Sequence, residues 1–248
     1  MERRFVDGRI EGTIGRVYVE PKDQRCVGFL DDTCLQTNRP SPNYDEDGVP
    51  DNSPQRSVYT GFMKKHGLKA QTVYFPDGMV GSVFVASMRN NDNGMMNLSA
   101  LGDLLNDAFP VMDDCETGLA VKYALFCDGI FHNHECLFNK PHICHDEYEE
   151  MLFIHMNSMQ VLIENMYARF KTLFPIFSMG KRNSIDRDGN IVRMIVSSFF
   201  LLNCHTCFNG TNSTIIFDIA PPTIDEYLPD GEVLEPAPVV DVVNVVEE

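Results

Sequence analysis

Arg25-Cys26-Val27-Gly28-Phe29-Leu30-Asp31-Asp32-Thr33 is the stretch on which the fold reading turns. Val27, Phe29 and Leu30 make a β-prone apolar run. Gly28 thins that run where another backbone or a ligand can approach. The segment reads as a short buried strand ending in two acids, Asp31 and Asp32. A carboxylate at the C-terminal end of a central strand is where many folds place chemistry. A solvated turn acid leaves the same local signature, since Asp commonly opens a turn. Taken alone, the strand favours the turn; the segments around it shift the balance.

Upstream lies a lead-in, residues 1–11, with a strand expected at Gly15-Arg16-Val17-Tyr18-Val19-Glu20. Downstream, residues 38–57 mix four prolines with Asn and Asp and read as a long loop. Thr72-Val73-Tyr74-Phe75 and Met79–Ala86 read as a hairpin closed by Pro76-Asp77-Gly78, a composition that suits a type II turn. Asn90-Asn91-Asp92-Asn93 is a helix N-cap cluster, and the helix it opens is expected to close at Pro110. Lys122–Cys127 is a second buried strand followed by acid, Asp128. Leu152, Met156, Met159, Ile163, Met166, Phe170 and Leu173 form one apolar stripe of a long helix over 146–174. Glu164 borders that stripe. A second, very apolar helix is expected over Ile191–Asn203. These elements imply an α/β domain over residues 12–228, with a central mixed sheet flanked by helices. Residues 229–248, acidic and rich in Pro and Val, read as a disordered tail.

The net charge is −16. Nine acids and no Lys or Arg lie in residues 218–248, so the remainder stands at −7. That argues against a dedicated nucleic-acid binder acting alone, because phosphate affinity comes from Lys and Arg. It leaves room for a nuclease core, whose acids must bind cations. No uninterrupted run of eighteen apolar residues occurs, so no membrane span is expected. The start has no stretch of signal-peptide length, so no secretory route is expected and eight cysteines read as thiols or metal ligands.

Three carboxylates, Asp31, Asp128 and Glu164, thus come from two strand ends and one helix margin. Converging acids repel one another unless a cation lies between them. Hard oxygen ligands suit Mg²⁺ or Mn²⁺. Two such ions roughly 3.5–4 Å apart clamp both oxygens of a phosphodiester displacement.

Several stretches together resemble the DDE transposase-derived endonuclease domain of the PIF/Harbinger type. Phe29-Leu30-Asp31-Asp32-Thr33 with Asn38-Arg39-Pro40 is similar to its Asp-Gly-Thr strand and later Arg-Pro. Tyr59-x-Gly61 with Lys64-Lys65-His66-Gly67-Leu68-Lys69-x-Gln71 is similar to one of its more specific segments. Arg89-Asn90-Asn91-Asp92 with Ser99-x-Leu101, Leu125–Gly129, and Ile163-Glu164-x-x-Tyr167-x-x-Phe170-Lys171 follow in the family's order. Thirty-five residues separate Asp128 from Glu164, matching the family's usual spacing.

The resemblance implies a ribonuclease-H-like fold and a DNA endonuclease or strand-transfer activity with Mg²⁺ or Mn²⁺. It implies a metal triad of Asp31, Asp128 and Glu164. Asp92 is a fourth acid, and it competes with Asp128 for second place in the triad. Lys64, Lys65 and Lys69 become candidate DNA-phosphate contacts. The implied partners are DNA and a separate DNA-binding protein, with a homo-oligomer left open and a nuclear or cytoplasmic location. Asp32 departs from the family's Gly, Phe131 from its Tyr, and Gln160 from its Arg. No DNA-reading module precedes the domain in this sequence, so an inactive, domesticated adaptor is the competing reading.

His132, His134, Cys136, His142, Cys144 and His145 form a dense cluster. Its spacing matches no standard zinc finger, so a polar loop is the first reading there and zinc the second. Cys204-x-x-Cys207 reads as a pair of core thiols.

Overall fold

Strand β1 spans Gln24–Gln36 and occupies the centre of a mixed sheet. The computed structural model describes residues 24–44, 47–108, 112–113, 120–131, 134, 136–139, 147–178 and 190–229. After β1 come β2 (Asn43–Tyr44), β3 (Pro50–Asp51), α1 (Ser53–Ser57), β4 (Tyr59–Thr60), β5 (Lys65–Tyr74) and β6 (Val80–Ser87). Then follow α2 (Asp92–Ser99), α3 (Leu101–Ala108), β7 (Met112–Asp113), β8 (Ala120–Cys127) and β9 (Leu137–Phe138). The chain continues with α4 (Glu147–Leu173), a 3₁₀ turn at Pro175–Ser178, α5 (Asn190–Asn209), α6 (Asn212–Ile216) and α7 (Ile224–Tyr227).

β1 pairs antiparallel with β5 and parallel with β8. β6 lies antiparallel beyond β5, and β9 parallel beyond β8. Short β4 and β7 extend the edges antiparallel, while β2 and β3 form a separate ladder inside the expected loop. The strand expected at residues 15–20 and the acidic tail from residue 230 lie outside the described residues.

Two expectations about β1 need correcting. It is neither short nor finished at its acids: it runs four residues past Asp32, still paired with β5 from Asp31↔Thr72 to Gln36↔Gly67. What stops is the other neighbour. The last β8 pair is Leu30↔Cys127, so one flank of β1 opens at Asp31. Gly28 does serve a close approach: a Cβ there would lie 2.8 Å from the Tyr74 carbonyl oxygen and 2.9 Å from the Phe75 ring.

The β5–β6 hairpin forms where expected, but its turn differs. Gly78 N–H donates to the Phe75 carbonyl at 2.9 Å, which makes Gly78 the fourth turn residue. The positive φ, 80°, falls on Gly78 and not on Asp77, so the turn is type I followed by a glycine bulge. The helix expected after the Asn cluster is broken in two at Ala100, whose φ is 49°. Asn91 is its N-cap, accepting the Gly94 N–H at 2.7 Å.

Successive β residues face opposite layers. Phe29, Leu35, Tyr74, Ala124 and Phe126 join Ile163, Met166, Phe170, Ile195 and Phe199 of α4 and α5 in one core. Leu30, Val73, Leu125 and Cys127 join Leu101 and Leu105 of α3 in the other. The domain is therefore α/β, a mixed sheet with helices on both faces. The apolar stripe of α4 is buried at Met156, Ile163, Met166 and Phe170, but Leu173 is exposed. Phe170 stacks on Phe199 of α5 with ring centroids 4.1 Å apart.

α5 is longer than expected and ends at Asn209, with the half-buried thiols of Cys204 and Cys207, neither in a disulfide, in its last turns. Contrary to the expectation of no span, it is long and apolar enough to cross a membrane by length and composition alone. Here Ile191, Ile195, Phe199 and Leu202 are buried as a helical stripe of the sheet's core. Buried Asn203 ties α5 to the edge of β6: its Oδ1 accepts the Val80 N–H at 2.8 Å and its Nδ2 donates to the Val80 carbonyl at 2.8 Å. Asn203→Leu strands both Val80 groups and is expected to cost ~2–4 kcal/mol, read as a lower urea midpoint.

Candidate active site

Register brings Asp31 and Asp128 together. Leu30 pairs with Cys127, the strands are parallel, and each acid is the next residue. Asp128 is exposed just past β8, its carboxylate accepting the Gly129 N–H at 2.6 Å. Asp31 is half-buried between Phe29 and Thr33, two residues that face α4.

α4 is pinned to this point of β1. The Tyr167 hydroxyl donates to the Asp31 carbonyl at 2.6 Å and meets Thr72 Oγ1, across the ladder from Asp31, at 2.7 Å. One turn on, Lys171 Nζ donates to Thr33 Oγ1 at 3.1 Å. Glu164 stands one turn before Tyr167 on the same side of the helix, with its side chain exposed. Tyr167 and Lys171 carried no role in the sequence reading. Their spacing of three and seven from Glu164 is the signal that places all three on one face.

Electrostatics link these groups. Burial pushes the Asp31 carboxyl up to about 6, opposed by the Asp32 backbone N–H; the charges of Asp92, Glu164 and Asp128 raise it further. The four acids singled out from the sequence therefore share one field.

Asp32 points to the other face. Its side chain is 5% exposed, and neither carboxylate oxygen has a hydrogen-bond partner. Burial, then the nearby Asp92 charge, pushes its carboxyl up to about 8, against the pull of Lys69. Lys69 Nζ lies 2.6 Å from Asp92 and 3.9 Å from Asp32. Gln71 follows on the same strand and accepts the Ser99 hydroxyl at 2.8 Å. Asp92, at the first turn of α2, is thus held by a lysine, whereas Asp128 stands beside Asp31.

The three lysines separate. Lys64 and Lys65 are exposed at the β4–β5 turn. Lys69, expected as a DNA-phosphate contact, is 8% exposed and lies between two acids, with Asp92 at 2.6 Å.

A hard divalent cation needs oxygen donors and a negative field, and Asp31, Asp128 and Glu164 supply both. Their donor chemistry fits. Their side chains do not close on a common point: among the described residues, no group of three or more His, Cys, Asp or Glu could hold an ion as it stands. Of the His/Cys cluster, His132, His142, Cys144 and His145 lie outside the described residues. His134 Nδ1 accepts the Cys136 N–H at 3.2 Å, and the Cys136 thiol is buried against Asn106.

No family model, no curated protein and no solved structure matches the chain.

Proposed function

We propose that the chain is a divalent-metal-dependent DNA nuclease of the PIF/Harbinger transposase-derived type, with a ribonuclease-H-like fold. Asp31, Asp128 and Glu164 would hold Mg²⁺ or Mn²⁺. The observation that carries this reading is the side-by-side placement of Asp31 and Asp128 where β8 ends, under a helix that presents Glu164.

The ions, when bound, supply charge neutralisation and activation of water or a 3′-hydroxyl. The chain's own residues supply position. Tyr167 fixes the backbone of Asp31, and Lys171 fixes Thr33 two residues on. These bonds hold α4, and with it Glu164, in one register over β1. Burial and neighbouring acids keep Asp31 partly protonated near pH 6, so the triad gains full charge only above that. Exposed Lys64 and Lys65 are the cations left to meet DNA phosphate.

Nicking of supercoiled DNA with Mg²⁺ or Mn²⁺ is the direct test, run on the wild type beside Asp31→Asn and Glu164→Gln. Equal activity in all three would reject the reading.

A second reading is favoured by the unclosed carboxylates and by the lysine already occupying the Asp92–Asp32 side. In it the domain keeps the fold and acts as an adaptor. Carboxylate-dependent Mn²⁺ binding separates the two: the adaptor shows none.

A further inference from the structure

A second polar site lies away from the acids. A cavity of about 310 Å³ opens between the middle of α4, the C-terminal end of β5 and the α5–α6 junction. None of Asp31, Asp92, Asp128 and Glu164 lines it. Its volume falls in the range of small-molecule pockets. Arg169, Asn165, Asn209 and Thr214 supply its polar wall, and Leu162 and Met166 its apolar one.

Arg169 is the informative member. Its guanidinium is half-buried, and burial lowers its proton affinity. One nitrogen donates to Thr206 Oγ1 at 3.2 Å and another meets His205 Nδ1 at 2.6 Å. A guanidinium only donates, so His205 Nδ1 is the acceptor and that ring is neutral on this side. Thr206 is itself held, donating to the Leu202 carbonyl at 3.0 Å. Both partners are uncharged. In a chain of net charge −16, this arginine has no carboxylate partner among the described residues. Among the described residues, three of its five N–H donors have no partner. A desolvated cation braced from behind by neutral groups, with open donors in a cavity walled by amides and hydroxyls, is built to receive an anion.

We propose that this cavity binds a phosphate group through Arg169, with the rim amide of Asn165 completing the cradle. Arg matches phosphate bidentately, and Asn165 adds a neutral donor without repulsion, while the Asn209 amide donates to the His205 carbonyl at 2.9 Å and the Thr214 hydroxyl to the Thr211 carbonyl at 2.7 Å. The phosphate comes either from a free phosphate ester or from a DNA strand. This site stands independently of the metal-dependent chemistry proposed above.

The test is calorimetric titration of the full chain with inorganic phosphate, with 2′-deoxyadenosine 5′-monophosphate and with a short DNA duplex. Arg169→Gln is expected to weaken binding ~10-fold or more. Asn165→Leu, on the exposed rim, is expected to weaken it several-fold while leaving the Thr206 and His205 bonds intact. It carries the test if Arg169→Gln fails to fold. Arg169-dependent binding of phosphate or nucleotide supports a free ester. Arg169-dependent binding of duplex alone supports a backbone phosphate. No binding of any probe, or binding equal in wild type and both variants, overturns the proposal.

Discussion

Asp31→Asn, Asp128→Asn and Glu164→Gln are each expected to lower metal-dependent DNA nicking by roughly 10²–10³-fold. Asp128→Asn and Glu164→Gln each remove a carboxylate from the field that raises Asp31, and Asp31→Asn removes the carboxylate at its centre. None removes a core contact: Asp128 and Glu164 are exposed, and the Tyr167 bond goes to the Asp31 backbone and survives the Asn side chain. Loss of activity without a fall in Tm is therefore the expected pattern, with Asp31→Asn gaining some stability above pH 6. Asp92→Asn discriminates the two candidates for the second acid. It breaks the 2.6 Å pair with Lys69, so its main effect is expected on stability. If Asp92→Asn abolishes nicking and Asp128→Asn does not, the triad has been assigned to the wrong acid.

Asp32→Asn is expected to stabilise the metal-free protein, and more so as pH rises. The folded carboxyl is pushed up to about 8 by burial and by Asp92, with Lys69 opposing and Asp31 adding to the rise. In the unfolded chain it titrates near 4. Between these values the folded state holds a proton that the unfolded state has released. Stability therefore falls as pH rises through this window and levels off above about 8. At pH 7 the lost stability is on the order of 4 kcal/mol, since every pH unit crossed inside the window removes about 1.4 kcal/mol. The amide keeps the shape and cannot ionise, so the variant's urea midpoint should fall less between pH 5 and 8 than the wild type's, with the difference greatest between pH 6 and 8, above the Asp31 transition. A variant less stable than wild type at pH 8 would mean the ionised carboxylate is used, by Lys69 or by a bound cation.

Asp32 also shows where sequence reading stops. Its neighbour Asp31 was legible as a strand acid, and Asp128 as the acid following a second strand, because apolar β-prone runs precede both. That the two stand side by side was not, since parallel register is fixed by strands almost a hundred residues apart. β1 read as short because its partner was hidden. Lys65, His66 and Lys69 make the first half of β5 look like a basic turn. Lys69 is buried only because Asp92, on another element, pairs with it at 2.6 Å. Tyr167 read only as one position of the family-like segment that follows Glu164, with no role of its own. Its meaning lies in a hydroxyl whose acceptor is a backbone carbonyl of β1. The turn at Gly78 read as type II because Pro and Gly occur in both turn types; hydrogen bonding, not composition, fixes which residue takes positive φ. The long α4 stripe, by contrast, was carried entirely by local spacing and appears at almost the expected boundaries.

The central claim is that three carboxylates from β1, the end of β8 and α4 act as one cation site. Isothermal titration of Mn²⁺ into the full chain at pH 7.5 tests it most directly. Saturable binding that Asp31→Asn removes, and that Lys65→Ala leaves intact, is the predicted result. Absence of binding, or binding indifferent to Asp31, would contradict it.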